Sequence, residues 1–185
     1  MRLCSKSLRS QFVFPTVVGA IAAANVRGRG RFQIVHYSVQ ADHLHLIVEA
    51  LDRRALSEGM RGFSVSLTRR INRLLFRRGR LVADRWHGRA LSSPRAVRRA
   101  LVYVLANAKR HGEPVGAVDP LSSAPHFRAF HEFAPRSPAE CDAEVVPRFA
   151  RATSPPTPST WLLDKGWLKA GQISLHHAPR TRDST

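Results

Sequence analysis

Acidic residues are scarce in this chain: 13 Asp+Glu stand against 30 Lys+Arg in 185 residues, a formal charge of +17 with histidine neutral. Such an excess excludes a polycation-binding role and points to a polyanionic partner. Cysteine is nearly absent. Cys4 and Cys141 are too few for a disulfide framework and too far apart for a CxxC metal pair, so a reducing, cytoplasmic setting is expected. Long apolar runs are missing as well. The stretch over residues 11–25 is broken by Pro15 and Gly19 and falls short of the roughly 20 residues that a membrane span requires. Met1–Ser10 is basic, but no clean apolar segment with a cleavage site follows it, so no secretory signal is expected. Only two tyrosines occur, Tyr37 and Tyr103, and no internal repeat is present.

Apolar residues make up 43% of the chain, enough for a core, which excludes a wholly disordered basic tail. A GC-rich genome explains why 26 of the 30 basic residues are arginine, but not why bases exceed acids by 17. The excess is concentrated in the middle. Residues 61–110 hold 14 Lys+Arg and one acid, Asp84, whereas most of the acids follow Gly112. A basic middle of this kind is the electrostatic footprint of nucleic-acid binding.

Thr16–Asn25 reads as a helix of small apolar residues, followed by a basic turn at Arg27–Arg31. Phe32–Gln40 (FQIVHYSVQ) and His43–Ala50 (HLHLIVEA) read as strands joined by Ala41–Asp42, an antiparallel hairpin. Leu56, Met60, Phe63, Leu67, Ile71 and Leu74 recur at spacings of three and four and predict an amphipathic helix over Arg54–Arg78 with an arginine-rich polar side. Gly59 and Gly62 weaken its first part. Arg80–Leu91 reads as a strand or extended segment containing a turn. Ser93, Pro94 and Gly112 mark the start and stop of another helix, with Val97, Leu101, Val104 and Ala108 as its core stripe. Nine of the twelve prolines fall between Pro114 and Thr160, which predicts a loop-rich stretch. Trp161–Leu168 reads as a short helical turn docking through its two tryptophans.

Two patterns bear on chemistry. In His43-Leu44-His45 the period of a strand puts both imidazoles on one face and turns Leu44 and Leu46 to the core. Neighbouring imidazoles suit a divalent metal; they are equally compatible with two ordinary strand histidines. Tyr103 and Asn107 lie four apart on a helix and share its flank. Tyr103 there is either a boundary side chain with a partner for its hydroxyl or a nucleophile able to attack a phosphodiester. Tyr37, inside a strand, reads as packing.

A strand HxH, a basic helix and a helix carrying Tyr and Asn four apart form a specific order. In this order the chain resembles the single-tyrosine HUH transposases, in particular the REP-associated tyrosine transposases. Their strand pair reads like YxxMPNHxHLL, matched by Tyr37-SVQADHLHLI. A stretch like FQGRYKA is matched by Arg85-WHGRAL. Their later helix reads like YIHLNPVRAG, matched by Tyr103-VLANAKRHG. The likeness covers roughly residues 32–112.

The resemblance implies an α+β fold: a ferredoxin-like, mostly antiparallel sheet with the HxH strand central and helices packed on one face. No first strand of such a core is read before the first helix: Met1–Ser10 is too polar to be a convincing core strand, which leaves a misassigned start or a truncated copy as the alternatives. It implies a catalytic domain over residues 1–112 and a Pro-rich loop and C-terminal tail with a short helix over 113–185. His43, His45 and Asn107 would hold Mg²⁺ or Mn²⁺. Tyr103 would attack a phosphate of single-stranded or hairpin DNA, giving a 5′-phosphotyrosine link and a free 3′-OH that can reverse the attack. Arg61, Arg69, Arg70, Arg73, Arg77, Arg85, Arg89, Arg99 and Arg110 would contact DNA, with Trp86 or His87 stacking on an unpaired base. The protein would act as a monomer or homodimer, in the cytoplasm on the nucleoid and away from membranes.

Two departures from the family's pattern stand out. Ala41-Asp42 replaces Pro-Asn before the first histidine; an acid there could tune the histidines, add a ligand or simply form the turn. Ala108 replaces a proline, so the helix can run on to Gly112. The alternative function is a non-catalytic DNA- or RNA-binding protein derived from such a transposase, its turnover lost with a shortened N-terminus.

Overall fold

A computed structural model describes residues 7–81, 86–106, 118–133 and 154–177. The regular elements are α1 (Phe14–Gly28), β1 (Phe32–Val39), β2 (Leu44–Ala50), α2 (Arg53–Leu74), α3 (Pro94–Leu105) and a short α4 (Trp161–Asp164). Three 3₁₀ turns, Ala124–His126, His131–Phe133 and Gly166–Ala170, complete the set. The mixed α+β class expected from the sequence is present.

The hairpin forms where the β-branched and aromatic residues cluster. β1 and β2 pair antiparallel, and Gln40 N–H donates to the His43 carbonyl at 2.9 Å, leaving Ala41–Asp42 as the connection. A bulge between Ile34 and His36 inserts Val35 as an extra residue. The inserted residue resets the alternation. Phe32, Ile34, Tyr37 and Val39 all reach one core, while Val35 points with Ile47 into the other.

Helices therefore cover both faces of the hairpin, and the expectation of helices on one face is corrected. α1 and α2 pack on the first face, around Val17, Ile21, Phe63, Leu67 and Ile71. α3 packs on the second with residues from both C-terminal segments, around Leu101, Leu105, Phe130, Leu163, Trp167 and Ile173. Two apolar stripes, one per face, need two coverings, and a single helix layer would leave Val35 and Ile47 in water.

The sheet also differs in its order. Among the described residues β2 pairs only with β1, so within them the HxH strand stands at an edge rather than at the centre. β1 is the strand flanked on both sides: Val39 N–H donates to the Leu121 carbonyl at 3.0 Å, Ser123 N–H to the Tyr37 carbonyl at 2.9 Å, and Ser38 bridges Ser122 antiparallel. In the sequence residues 121–123 read as loop because Pro120 and Pro125 frame them; a three-residue run is too short to show alternation.

Caps set the helix starts. Asp52 accepts from Ala55 N–H at 2.6 Å and Ser93 from Ala96 N–H at 3.2 Å, the latter with Pro94 in the first turn as the sequence predicts. α3 closes earlier than expected, at Leu105, where Ala106 N–H donates to the Val102 carbonyl. The predicted run to Gly112 enters residues outside those described. Residues 86–92 form no strand. Before α1, residues 7–13 form turns rather than a strand, yet Leu8 is buried and its N–H donates to the Ala41 carbonyl at 2.8 Å. Among the described residues no helix is long and apolar enough to cross a membrane.

Candidate functional site

The second face of the hairpin carries His45, Ile47 and Glu49, and α3 lies across it. Strand alternation and the apolar stripe of α3 thus bring Tyr103 over His45, residues 58 apart in sequence. The Tyr103 hydroxyl lies 3.3 Å from His45 Nε2, with the rings 4.7 Å apart and 75° to one another. His45 Nε2 in turn lies 3.0 Å from His43 Nε2. Both histidines and Tyr103 are half-buried, with one side of the cluster packed and the other facing the exposed turn at Ala41–Asp42.

Asp42 completes the row. Its Oδ1 accepts from His43 Nδ1 at 2.6 Å. Of the roles open to this acid, the geometry selects orientation: Nδ1 carries the proton, so His43 Nε2 presents a lone pair toward His45. Two imidazole nitrogens 3.0 Å apart need something positive between them, a shared proton or a cation. A hard divalent ion with bonds of ~2.1 Å at right angles spaces two ligands by ~3.0 Å, so the pair fits adjacent positions on Mg²⁺ or Mn²⁺. Among the described residues no third His, Cys, Asp or Glu joins them. Asn107, assigned to the same ion from sequence, lies outside the described residues.

The other tyrosine is structural. Tyr37 is 1% exposed, and burial pushes its phenol up to about 12, away from use as a nucleophile near neutrality. His36 is a core histidine on the Tyr103 side of the hairpin. Burial pushes its pKa down to about 4 against the opposing pull of Glu49, and Phe127 stands edge-on to its ring at 5.5 Å.

Glu49 ties the C-terminal segment to the hairpin. Its carboxylate accepts from the backbone N–H and the hydroxyl of both Ser159 and Thr160, and from Gln33. Burial raises its pKa, but the hydrogen bonds from Thr160 and Ser159 outweigh it and hold the carboxyl below its ordinary value. Behind this clamp Trp167 is buried, whereas Trp161 is 53% exposed. One tryptophan docks, and the expectation that both would is corrected. Neither Glu49 nor the docked segment carried a sequence signal beyond the two tryptophans.

The arginines read as DNA contacts fall into separate places. Arg61, Arg69, Arg70 and Arg73 are exposed along α2, on the face of the sheet opposite Tyr103. Arg77 is half-buried just past α2 and donates to the Arg80 carbonyl. Arg99, on α3, and Arg89 are exposed, as is Trp86, whose ring folds back over Gly88. Arg85 and Arg110 lie outside the described residues. Arg98, one position from Arg99, donates to the carbonyls of Gly171 and Gln172 and anchors the C-terminal segment.

The structure therefore gathers Asp42, His43, His45 and Tyr103 at one place and sets the arginines of α2 on the far side of the sheet. Asp42 was the member whose role the sequence left open. No known protein family, no curated protein and no solved structure matches this chain.

Proposed function

We propose that this chain cuts and rejoins single-stranded or hairpin DNA through a covalent link to Tyr103, in the manner of the single-tyrosine HUH transposases it resembles. The observation that carries the reading is the 3.3 Å approach of the Tyr103 hydroxyl to His45 Nε2, between elements that the motif order requires to meet. The net charge of +17 supports a nucleic-acid substrate.

The Tyr103 oxygen attacks the scissile phosphorus, the Oη–P bond forms, and the P–O3′ bond breaks. The phenolic proton leaves to solvent on the turn side, and the departing O3′ takes one up. One diester replaces another, so the free 3′-OH can reverse the step without an external energy source. His43 and His45 would hold Mg²⁺ or Mn²⁺, with Asn107 as a further ligand. When bound, the ion withdraws charge from the phosphate oxygens. Asp42 keeps His43 in the tautomer that leaves Nε2 unprotonated, and core packing of α3 holds Tyr103 in place.

The test is a denaturing gel after incubation with 3′-labelled hairpin oligonucleotides and Mg²⁺ or Mn²⁺. The expected result is label transferred to the protein by the native chain and not by Tyr103→Phe, whose DNA affinity stays within about fivefold, since a hydroxyl's hydrogen bond is worth ~1 kcal/mol or less at a half-exposed site. Salt-sensitive binding with no adduct from any oligonucleotide would replace this reading with the non-catalytic one.

A further inference from the structure

α1 and α2 pack side by side on the first face of the hairpin and leave a groove between them. Its walls carry Arg27 from the last turn of α1 and Arg69, Arg70 and Arg73 from α2, with Val65 and Leu74 also lining it. Arg70 reaches across the groove: a Cβ at Gly19 of α1 would lie 3.5 Å from its Nη1. Among the described residues no carboxylate pairs with any of these four guanidinium groups, although Arg9, Arg31 and Arg54 each find one. Four like charges along one groove repel one another, and a row of phosphates spaced along a backbone relieves that repulsion.

Just past the end of α2 stands Phe76. Its side chain is 98% exposed and its φ is +50°, in the left-handed region that a bulky residue enters at a cost of about 1 kcal/mol or more. Glycine would suit that backbone better and an apolar ring gains nothing from water, so neither folding nor packing accounts for a phenylalanine here. Arg73, Arg77 and Arg78 flank it in sequence. An exposed ring two residues in sequence beyond Leu74, which lines the cationic groove, is the arrangement that stacks an unpaired nucleobase.

We propose that the α1–α2 groove and Phe76 form a second nucleic-acid-binding surface, separate from Tyr103 and on the opposite side of the sheet. Arg27, Arg69, Arg70 and Arg73 hold a phosphate backbone, and Phe76 stacks on an unpaired base. The proposal rests on the nucleic-acid reading above and adds where the strand outside the cleavage site runs.

Two variants and a charge-matched control test it in the full chain, with fluorescence anisotropy of a labelled mixed-sequence single strand and its duplex across a salt series. Arg69→Gln/Arg70→Gln/Arg73→Gln is expected to flatten the slope of log affinity against log salt by about two to three, at roughly 0.7–0.9 for each phosphate no longer neutralised. Arg53→Gln/Arg54→Gln/Arg128→Gln, which removes the same charge elsewhere, is expected to flatten it by less than half as much. Phe76→Gly is expected to weaken single-strand binding about fivefold or more, from a stacking contribution of roughly 1–3 kcal/mol, leave duplex binding unchanged, and raise or keep the melting temperature. Wild-type slope and affinity in both variants, with the Tyr103 adduct intact, would overturn this surface while leaving the cleavage reading standing. Loss of the adduct in every preparation, with the variant effects as stated, would sustain the surface and remove the catalysis. Loss of binding to anionic phosphatidylserine vesicles in both variants, with DNA binding unaltered, would overturn it in favour of a membrane surface.

Discussion

At the scale of single residues, the hydrogen-bonded row from Asp42 to Tyr103 makes Asp42 the most informative position to change. Asp42→Asn keeps the size and turn geometry but no longer offers a carboxylate to His43 Nδ1. On the metal-binding role proposed for His43 and His45, loss of such an outer partner would lower Mn²⁺ affinity about 10- to 100-fold, and isothermal titration with Mn²⁺ should show it without a change in melting temperature. His36 makes a prediction of its own. Its pKa is depressed on folding, so the neutral ring contributes stability in full above its ordinary 6.5, and that contribution is lost as pH falls toward about 4. The difference amounts to about 3 kcal/mol. Urea midpoints should fall across this window, and His36→Leu should flatten the fall. Glu49, also depressed, steepens the loss at the acid end. The sequence made the two histidines and Tyr103 legible because alternation and helical periodicity fix faces. It left the role of Asp42 open because turn position alone does not say which way a carboxylate points.

At the scale of elements, α2 shows how two glycines in one helix can have opposite meanings. A Cβ at Gly59 would come within 2.2 Å of the ring of Phe32, the buried first residue of β1; at Gly62 nothing lies within 4 Å. Gly62→Ala should therefore stabilise the protein by up to about 1 kcal/mol through helix propensity. Gly59→Ala should destabilise it by about 1–2 kcal/mol, because overpacking outweighs the same gain. Chemical denaturation of the two variants checks the difference in sign. From sequence both read as helix-weakening, since the ring that Gly59 accommodates sits more than twenty residues earlier. The hairpin, α2 and the start of α3 were legible within a few residues, being set by periodicity and, for α3, by the Ser93 cap. The Val35 bulge was not, because Ile34 and Val35 are both apolar and FQIVHYSV does not show where the extra residue falls.

At the scale of the whole molecule, the hairpin is a partition with a cluster on each side. The second side is assembled from distant parts: Val35 and Ile47 of the hairpin, α3, and Leu163, Trp167 and Ile173 near the end of the described chain. Ending the chain after residue 153 removes those last three buried side chains, worth ~1.5–3 kcal/mol each, and strips Glu49 of its Ser159 and Thr160 partners. A loss of about 5 kcal/mol or more is expected, comparable to the whole stability of a typical domain, and a thermal melt of the shortened protein should show either a large fall or no cooperative transition. This long-range closure was the least legible part of the fold, because the segments that supply it are proline-rich and aperiodic.

Synthesis from the N-terminus gives that closure a timetable. The α1–hairpin–α2 side can bury its apolar residues once Leu81 has left the ribosome. The other side cannot close until Ile173 has emerged, some ninety residues later and, at about 5–20 residues per second, several seconds afterwards. During that interval the nascent chain already presents its arginine groove, while α3 lacks the backing that holds Tyr103 against His45. The cationic half thus matures before the half that carries Tyr103, and the approach of Tyr103 to His45 gains its full backing only after Ile173 has emerged.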